Sequence, residues 1–316
     1  MARCLLALGS NLGDRTAVLA AVCRALARFP ASQLLARSRW HPTSPIGGPS
    51  GQGEFLNGAV VLQTQLPPQQ LAAACHALES QLGRARGVRW DARVIDIDLL
   101  LYDEMQIDSP SLTVPHPRMS VRRFVLEPAV EVAGSWRHPS AGWTVAQLLA
   151  HLQRSPRYVE VRAAEYGVAA WLAGALRQLP LSPRGGDPQP RISQRRISQP
   201  PRAVESHTEL AIHPNPVIYV ASPPPTMGGE WHQPAVCPAL VIALEPQSPA
   251  ALIALLGDQK EIHEKKKPKN ISAHFQKILS SSTSGPRAII RSDRPEEIVA
   301  EAVAAMCGVW PDLASR

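Results

Sequence analysis

The segment R-V-I-D-I-D-L-L-L-Y at 93–102 constrains this chain more than any other stretch. Val94, Ile95, Ile97 and Leu99, Leu100 and Leu101 are the residues of a buried strand, yet two carboxylates interrupt them. Side chains at i and i+2 of a strand point to one face, so Asp96 and Asp98 project together. An isolated D-x-D can equally be a solvated sheet edge. Inside so apolar a strand, however, ionised groups need partners, and Arg84, Arg86, Arg89 and Arg93 have the right sign. Two like charges on one face are reconciled by a cation, and carboxylate oxygens with phosphates nearby suit Mg²⁺. Guanidinium groups are planar donors for phosphate oxygens. Metal, arginine and buried strand together predict a site for transfer of a phosphorus group.

Length and composition narrow the setting. At 316 residues the chain has room for two domains. A net charge of +7 suits anionic substrates without implying nucleic acid. The five cysteines (Cys4, Cys23, Cys75, Cys237, Cys307) are odd in number and form no C-x-x-C. That pattern predicts reduced thiols in the cytoplasm, with neither a disulfide framework nor a zinc site. The N-terminal apolar run is too short for a signal peptide, and no segment reaches the roughly 18–20 apolar residues of a membrane span. The expectation is a soluble cytoplasmic protein.

Three parts follow along the chain. Residues 1–158 alternate strand and helix signals: strands at 3–8, 57–63 and 93–102, helices at 16–28, 67–83 and 144–152, and a short turn or helix at 128–132. The helix at 67 begins with prolines, as helix starts tolerate, and 43–53 is a loop rich in Pro, Gly and Ser. A β-α-β-β-α-β order predicts an α+β, ferredoxin-like sandwich with helices on one face of a mainly antiparallel sheet. Residues 159–206 are a helix and a Pro/Arg-rich linker. From 180 onward its composition cannot offset ordering entropy by burial, so disorder is expected. Residues 207–316 predict a small α/β domain, with strands at 217–221, 239–244 and 288–291 and helices at 249–256, 271–280 and 295–306. No G-x-x-x-x-G-K-[ST] occurs anywhere, so neither part is an intact P-loop kinase. The run Lys265-Lys266-Lys267-Pro268-Lys269 reads as a solvated loop.

A series of motifs stands in one order in the first part: A-L-G-S-N-L-G-D-R at 7–15, T-S-P-I-G-G-P-S-G-Q-G-E-F-L-N at 43–57, L-G-R-A-R at 82–86, R-W-D-A-R-V-I-D-I-D-L-L-L-Y at 89–102, then L-T-V-P-H-P-R-M and R-R-F-V-L-E-P. Together these closely resemble the 6-hydroxymethyl-7,8-dihydropterin pyrophosphokinases of folate biosynthesis, over about half the chain. The resemblance implies transfer of the terminal pyrophosphoryl unit of ATP to the pterin hydroxymethyl oxygen, giving AMP and the pterin diphosphate. It implies that Asp96 and Asp98 bind two Mg²⁺ ions, and that Arg84 and Arg93 lie on mobile loops that close on ATP and assist the transfer. Glu79, Arg86, Trp90, His116 and Arg122 fall on nucleotide-site positions. Asn57 matches the residue that reads the pterin edge, Phe55 and Phe124 the aromatics that sandwich its ring, and Thr43, Pro45 and Ile46 the loop along its side.

Physical chemistry agrees with these roles. Two aromatic faces hold a flat heteroaromatic ring well, and an Asn offers donor and acceptor to a lactam-amidine edge. Both phenylalanines are also compatible with core packing, and His116 alone with a packed or solvated histidine. No residue stands out as general base; a metal-bound and a carboxylate-assisted hydroxyl are both open. The chain departs from the family in a short segment between Arg86 and Trp90 and in Pro117, which leaves no aromatic after His116. The partners expected are ATP and the pterin, with other folate-pathway enzymes left open and no membrane. Two rival readings are a catalytically silent scaffold and a nucleic-acid-binding module. The second predicts an aromatic sheet motif that is absent, and the first gives no reason to keep Asp96, Asp98, Arg84, Arg93 and Asn57 together. Neither resemblance nor motif assigns a role to 207–316.

Overall fold

The run Cys4-Leu5-Leu6-Ala7-Leu8 is apolar at both parities, as a strand covered on both faces requires. In the computed structural model it lies in β1 (Ala2–Ser10), an inner strand of the sheet. The structure describes residues 1–45, 52–83, 93–154, 158–163, 172, 174–176, 217–221, 240–244, 286–292 and 294–310. They fall into two units, Met1–Ala150 with Cys307–Arg316, and His151–Met306.

In the first unit β1 pairs antiparallel with β4 on one side and β5 on the other; the elements are β2 (Ser32–Arg37), β3 (His41–Thr43), β4 (Phe55–Thr64) and β5 (Asp96–Tyr102). The strand order is β2-β4-β1-β5, and β3 pairs with β4 beyond the end of β2. With helices α1 (Arg15–Leu26) and α2 (Pro68–Gln81) the chain runs β-α-β-β-β-α-β, the short β3 being one strand more than the expected β-α-β-β-α-β, in an α+β unit with an antiparallel sheet. Asp14 caps α1 by accepting from the Ala17 amide at 2.9 Å, and Pro68 opens α2. The strand β2, S-Q-L-L-A-R, has no counterpart in the sequence reading: it lacks β-branched residues, and only pairing with β4 makes it a strand.

Helices α1 and α2 cover one face. Leu19, Val22 and Leu26 from α1 and Leu71, Cys75 and Leu78 from α2 form a buried cluster with Leu6, Leu8, Val60, Leu62 and Ile97. The expectation of helices on one face only is corrected by α3 (Arg123–Ala133), which packs on β4, β1 and β3. It serves the opposite parity, where Leu5, Ala59 and Val61 are also buried and need cover. This helix extends well beyond 128–132 because Pro128 is carried inside it. A hairpin of β6 (Ile107–Ser109) and β7 (Leu112–Val114) precedes a 3₁₀ turn, Met119–Val121. Helix α4 (Val145–Arg154) opens with a reciprocal cap: Gln147 N donates to Thr144 Oγ1, and Thr144 N to Gln147 Oε1.

The second unit holds a parallel sheet in the order β9-β8-β10-β11, made of β8 (Tyr158–Ala163), β9 (Val217–Ala221), β10 (Leu240–Leu244) and β11 (Arg287–Ile290); α5 (Pro295–Val309) follows and belongs to it as far as Met306. Strand β8 thus begins at the residue that closes the 1–158 domain of the sequence reading and runs into its 159–206 segment. The expected helices at 249–256 and 271–280, the Lys265–Lys269 run and the linker from 180 onward lie outside the described residues. Among the described residues no helix is long and apolar enough to cross a membrane.

Candidate active site

Directly opposed residues of antiparallel strands point to the same face, so the pairing register determines which side chains meet. Ala7 opposes Asp98 and Ala59, while Gly9 opposes Asp96 and Asn57. On the outer side of β4, His41 opposes Asn57 and Thr43 opposes Phe55. Asp96, Asp98, Asn57, Phe55, His41 and Thr43 therefore share one face, across four strands, over a floor of Ala7 and Gly9. It is the face opposite α1 and α2, because Ile97 and Leu8 lie in the cluster beneath.

Basic side chains border the carboxylate end. Arg93 Nη1 lies 2.8 Å from Asp96 Oδ2. His116 Nε2 stands 3.7 Å from Asp98 Oδ2. The hairpin delivers His116 there, its amide donating to the Leu100 carbonyl of β5 at 2.9 Å. Its Nδ1 accepts from the Arg118 amide, so the neutral ring carries its proton on Nε2, toward Asp98. Burial pushes the imidazole pKa down to about 3, helped by the Arg122 and Arg118 charges and opposed by Asp96. Burial also lowers the Arg122 guanidinium from its usual range, against the pull of Asp98 and Asp96. Arg122 stacks over the Phe124 ring at 5.4 Å.

At the other end, Asn57 is 6% exposed and its Nδ2 donates to Thr43 Oγ1 at 2.7 Å. That bond sets the orientation of the amide, which has one further N–H and an Oδ1 able to accept. Phe55 follows the same parity on β4, and Phe124 sits in the first turn of α3, both half-buried. Pro45 is half-buried just past β3.

Glu79 takes a different place. It is 2% exposed on α2, and Oε1 accepts from the Ile97 amide at 2.7 Å. Strand β5 ends the sheet, so this carboxylate satisfies an edge N–H midway between Asp96 and Asp98 and holds the strand from below. Burial of the neighbouring Cys75 thiol raises its pKa to about 12, helped by the charges of Glu79 and Asp98. Ile46, Arg84, Arg86 and Trp90 lie outside the described residues.

The structure adds residues to which the sequence reading gave no role. Asn11 is 6% exposed; its Oδ1 accepts from the Arg93 amide at 2.7 Å, its own amide donates to the Arg93 carbonyl, and its Nδ2 donates to Gln52 Oε1 at 3.2 Å. Arg15 donates to the Glu54 carbonyl. The turn after β1 therefore ties residues 52–54 to Arg93. Its conspicuous G-S-N-L-G-D-R sequence was the available signal, since polar residues in a tight turn bond locally.

The donor set fits a hard cation. Asp96 and Asp98 present carboxylate oxygens from one strand face, and among the described residues no cluster of three or more His, Cys, Asp or Glu surrounds them. Two protein carboxylates, with phosphate oxygens and water completing the shell, is the usual way of holding Mg²⁺.

Comparison with known proteins bears on the same region. The model of the 7,8-dihydro-6-hydroxymethylpterin-pyrophosphokinase family matches residues 5–134. A 2-amino-4-hydroxy-6-hydroxymethyldihydropteridine pyrophosphokinase of Methylorubrum extorquens is 42% identical over 155 residues, which are 49% of this chain and 96% of the relative. The protein of that name from Pseudomonas aeruginosa is 40% identical over 148 residues, 47% of this chain and 90% of the relative. The one from Bacillus subtilis is 41% identical over 127 residues, covering 40% and 75%.

Proposed function

The chain belongs to the 7,8-dihydro-6-hydroxymethylpterin-pyrophosphokinase family, a pyrophosphokinase of folate biosynthesis, and from that premise we propose how its own residues carry the reaction. The pterin hydroxymethyl oxygen forms a bond to the β-phosphorus of ATP. The bond from that phosphorus to the oxygen bridging the α-phosphate breaks, AMP departs with that oxygen, and the hydroxyl proton passes to solvent. The observation that carries the reading is the register: β5 carboxylates and the β4 amide share one sheet face over Ala7 and Gly9.

Asp96 and Asp98 would hold Mg²⁺, two ions being expected, which would supply neutralisation of the triphosphate charge. Asn57 reads the pterin edge, its amide oriented by Thr43, with Phe55 and Phe124 against the ring and Pro45 and Ile46 along its side. His116, neutral with its proton on Nε2, donates to a phosphate oxygen. Arg122 and Arg93 supply positive potential where charge builds on the leaving phosphate, joined by Arg84 and Arg86, and Trp90 is a lid over the nucleotide. Glu79 acts on the nucleotide site through β5, whose edge it supports. The work is placement and charge compensation. This reading concerns the first unit. The four described cysteines outside disulfides suit a cytoplasmic setting.

The test is AMP formation by the full-length protein with hydroxymethyl-dihydropterin, ATP and Mg²⁺. AMP that requires pterin and Mg²⁺, and that disappears in an Asp96→Asn, Asp98→Asn double variant, supports the proposal. AMP formation equal in the variant and the parent refutes the metal assignment. No pterin-dependent AMP from the parent protein leaves the scaffold reading in its place.

A further inference from the structure

Strand β3 has only three residues, and among the described residues it pairs with β4 alone. Pro42 at its centre offers no N–H. So short an edge strand needs another anchor to keep its place. The anchor comes from α3. Glu131 Oε2 accepts from the Arg39 amide at 2.8 Å. Its Oε1 accepts from Arg39 Nη2 at 2.9 Å, Arg39 Nε at 3.2 Å and His41 Nε2 at 2.9 Å.

These contacts differ in weight. The Arg39 side chain is 85% exposed, so its ion pair with Glu131 is weak. The His41 ring is mostly covered, its side chain 22% exposed, and the Glu131 side chain is 24% exposed on a residue that as a whole is exposed; the Arg39 amide is a backbone group. A charge-assisted bond to the backbone and one to a covered ring set the position of β3. Two residues beyond His41 is Thr43, whose hydroxyl orients the Asn57 amide. His41 is itself the register partner of Asn57.

We infer that Glu131 is a positioning residue for pterin recognition: it clamps β3 to α3, and through Thr43 fixes the amide of Asn57. The inference rests on the assignment of Asn57 to the pterin edge. Glu131 touches neither substrate. Its loss lets β3 and the Thr43 hydroxyl drift, so Asn57 no longer presents a single donor and acceptor pattern. The nucleotide end, built on β5 and the hairpin, stays in place.

Steady-state kinetics on the full-length protein test this, with pterin and MgATP varied separately. Glu131→Ala is expected to raise the pterin KM at least tenfold while kcat and the ATP KM stay within twofold. Thr43→Val, which removes the hydroxyl, should also raise the pterin KM, and the two changes together should give less than the product of their separate effects. A multiplicative double variant, or an effect on kcat or the ATP KM instead, overturns the inference. Glu131→Gln keeps oxygen on the Arg39 amide without the charge; its pterin KM should lie between parent and alanine variant, which provides the reading if Glu131→Ala does not fold. Asn57→Ala is the reference. A raised pterin KM there with parental values in both Glu131 variants refutes only the clamp. An unchanged pterin KM in Asn57→Ala refutes the pterin assignment of this face, and the clamp with it.

Discussion

Gly9 on β1 and Asn57 on β4 are direct cross-strand partners, and a Cβ on residue 9 would stand 3.0 Å from Asn57 Oδ1. The missing side chain gives the amide its room. Gly9→Ala should therefore displace Asn57 from its bond to Thr43. The expected outcome is a fall of at least tenfold in kcat/KM for the pterin. Because Ala suits a strand interior better than Gly, by about 0.5–1 kcal/mol, the melting temperature should change little. Kinetics and thermal unfolding on one preparation check both halves.

Asn11 couples Gln52 to Arg93 through its side-chain oxygen, side-chain amide and backbone. Asn11→Ala removes the acceptor for a partly buried Arg93 amide, which costs about 1–3 kcal/mol. Arg93 also carries the guanidinium on Asp96, so kcat should drop by about 10–100-fold with a smaller effect on the pterin KM. Parental kcat in this variant would show that the turn plays no part in the transfer.

Glu79 satisfies the Ile97 amide from below the strand. Glu79→Ala leaves that N–H buried and unpaired, and the expected loss is about 2–3 kcal/mol in urea unfolding. Glu79→Gln retains an oxygen acceptor and should lose less. If the alanine variant unfolds at the parental midpoint, the bond contributes nothing to β5.

Glu131 supplies the pH dependence. Its carboxyl is held down at about 2 from a usual 4.5, first by the Arg39 amide, then by the Arg39 and His41 side chains. A depressed carboxylate contributes fully above its unfolded value and loses that contribution as pH falls toward the folded value. The stability difference between parent and Glu131→Gln should be constant above about pH 5.5 and shrink between 4.5 and 2. Allowing for solvent screening, it should amount to about 1–2 kcal/mol. Urea unfolding at pH 7, 4.5 and 3.5 measures it; a difference that grows as pH falls refutes the assignment.

Part of this molecule was legible because it depends on local periodicity. Asp96 and Asp98 share a face because a strand repeats every two residues, and their apolar setting already demanded cationic partners. The prolines opening α2 and the Asp14 cap likewise act within one turn of helix. The family motifs carried the same residues in order.

Other features existed only once distant segments had met. That Asn57 lies on the carboxylate face follows from the register in which Ala7 and Gly9 of β1 meet both β4 and β5, and a one-residue slip there would have sent it to the other side. Nothing local distinguishes Glu79 or Glu131 from solvated helix acids, since their partners, the Ile97 amide and the residues 39 and 41, lie 18 and about 90 positions away. Strand β2 has no strand composition of its own, and α3 goes to the second face because the apolar side of the sheet there must be covered. The sequence by itself determined that two carboxylates share one face of an apolar strand and need cationic partners; the tertiary structure decided which groups face them, because register and burial are set by contacts between segments far apart in the chain.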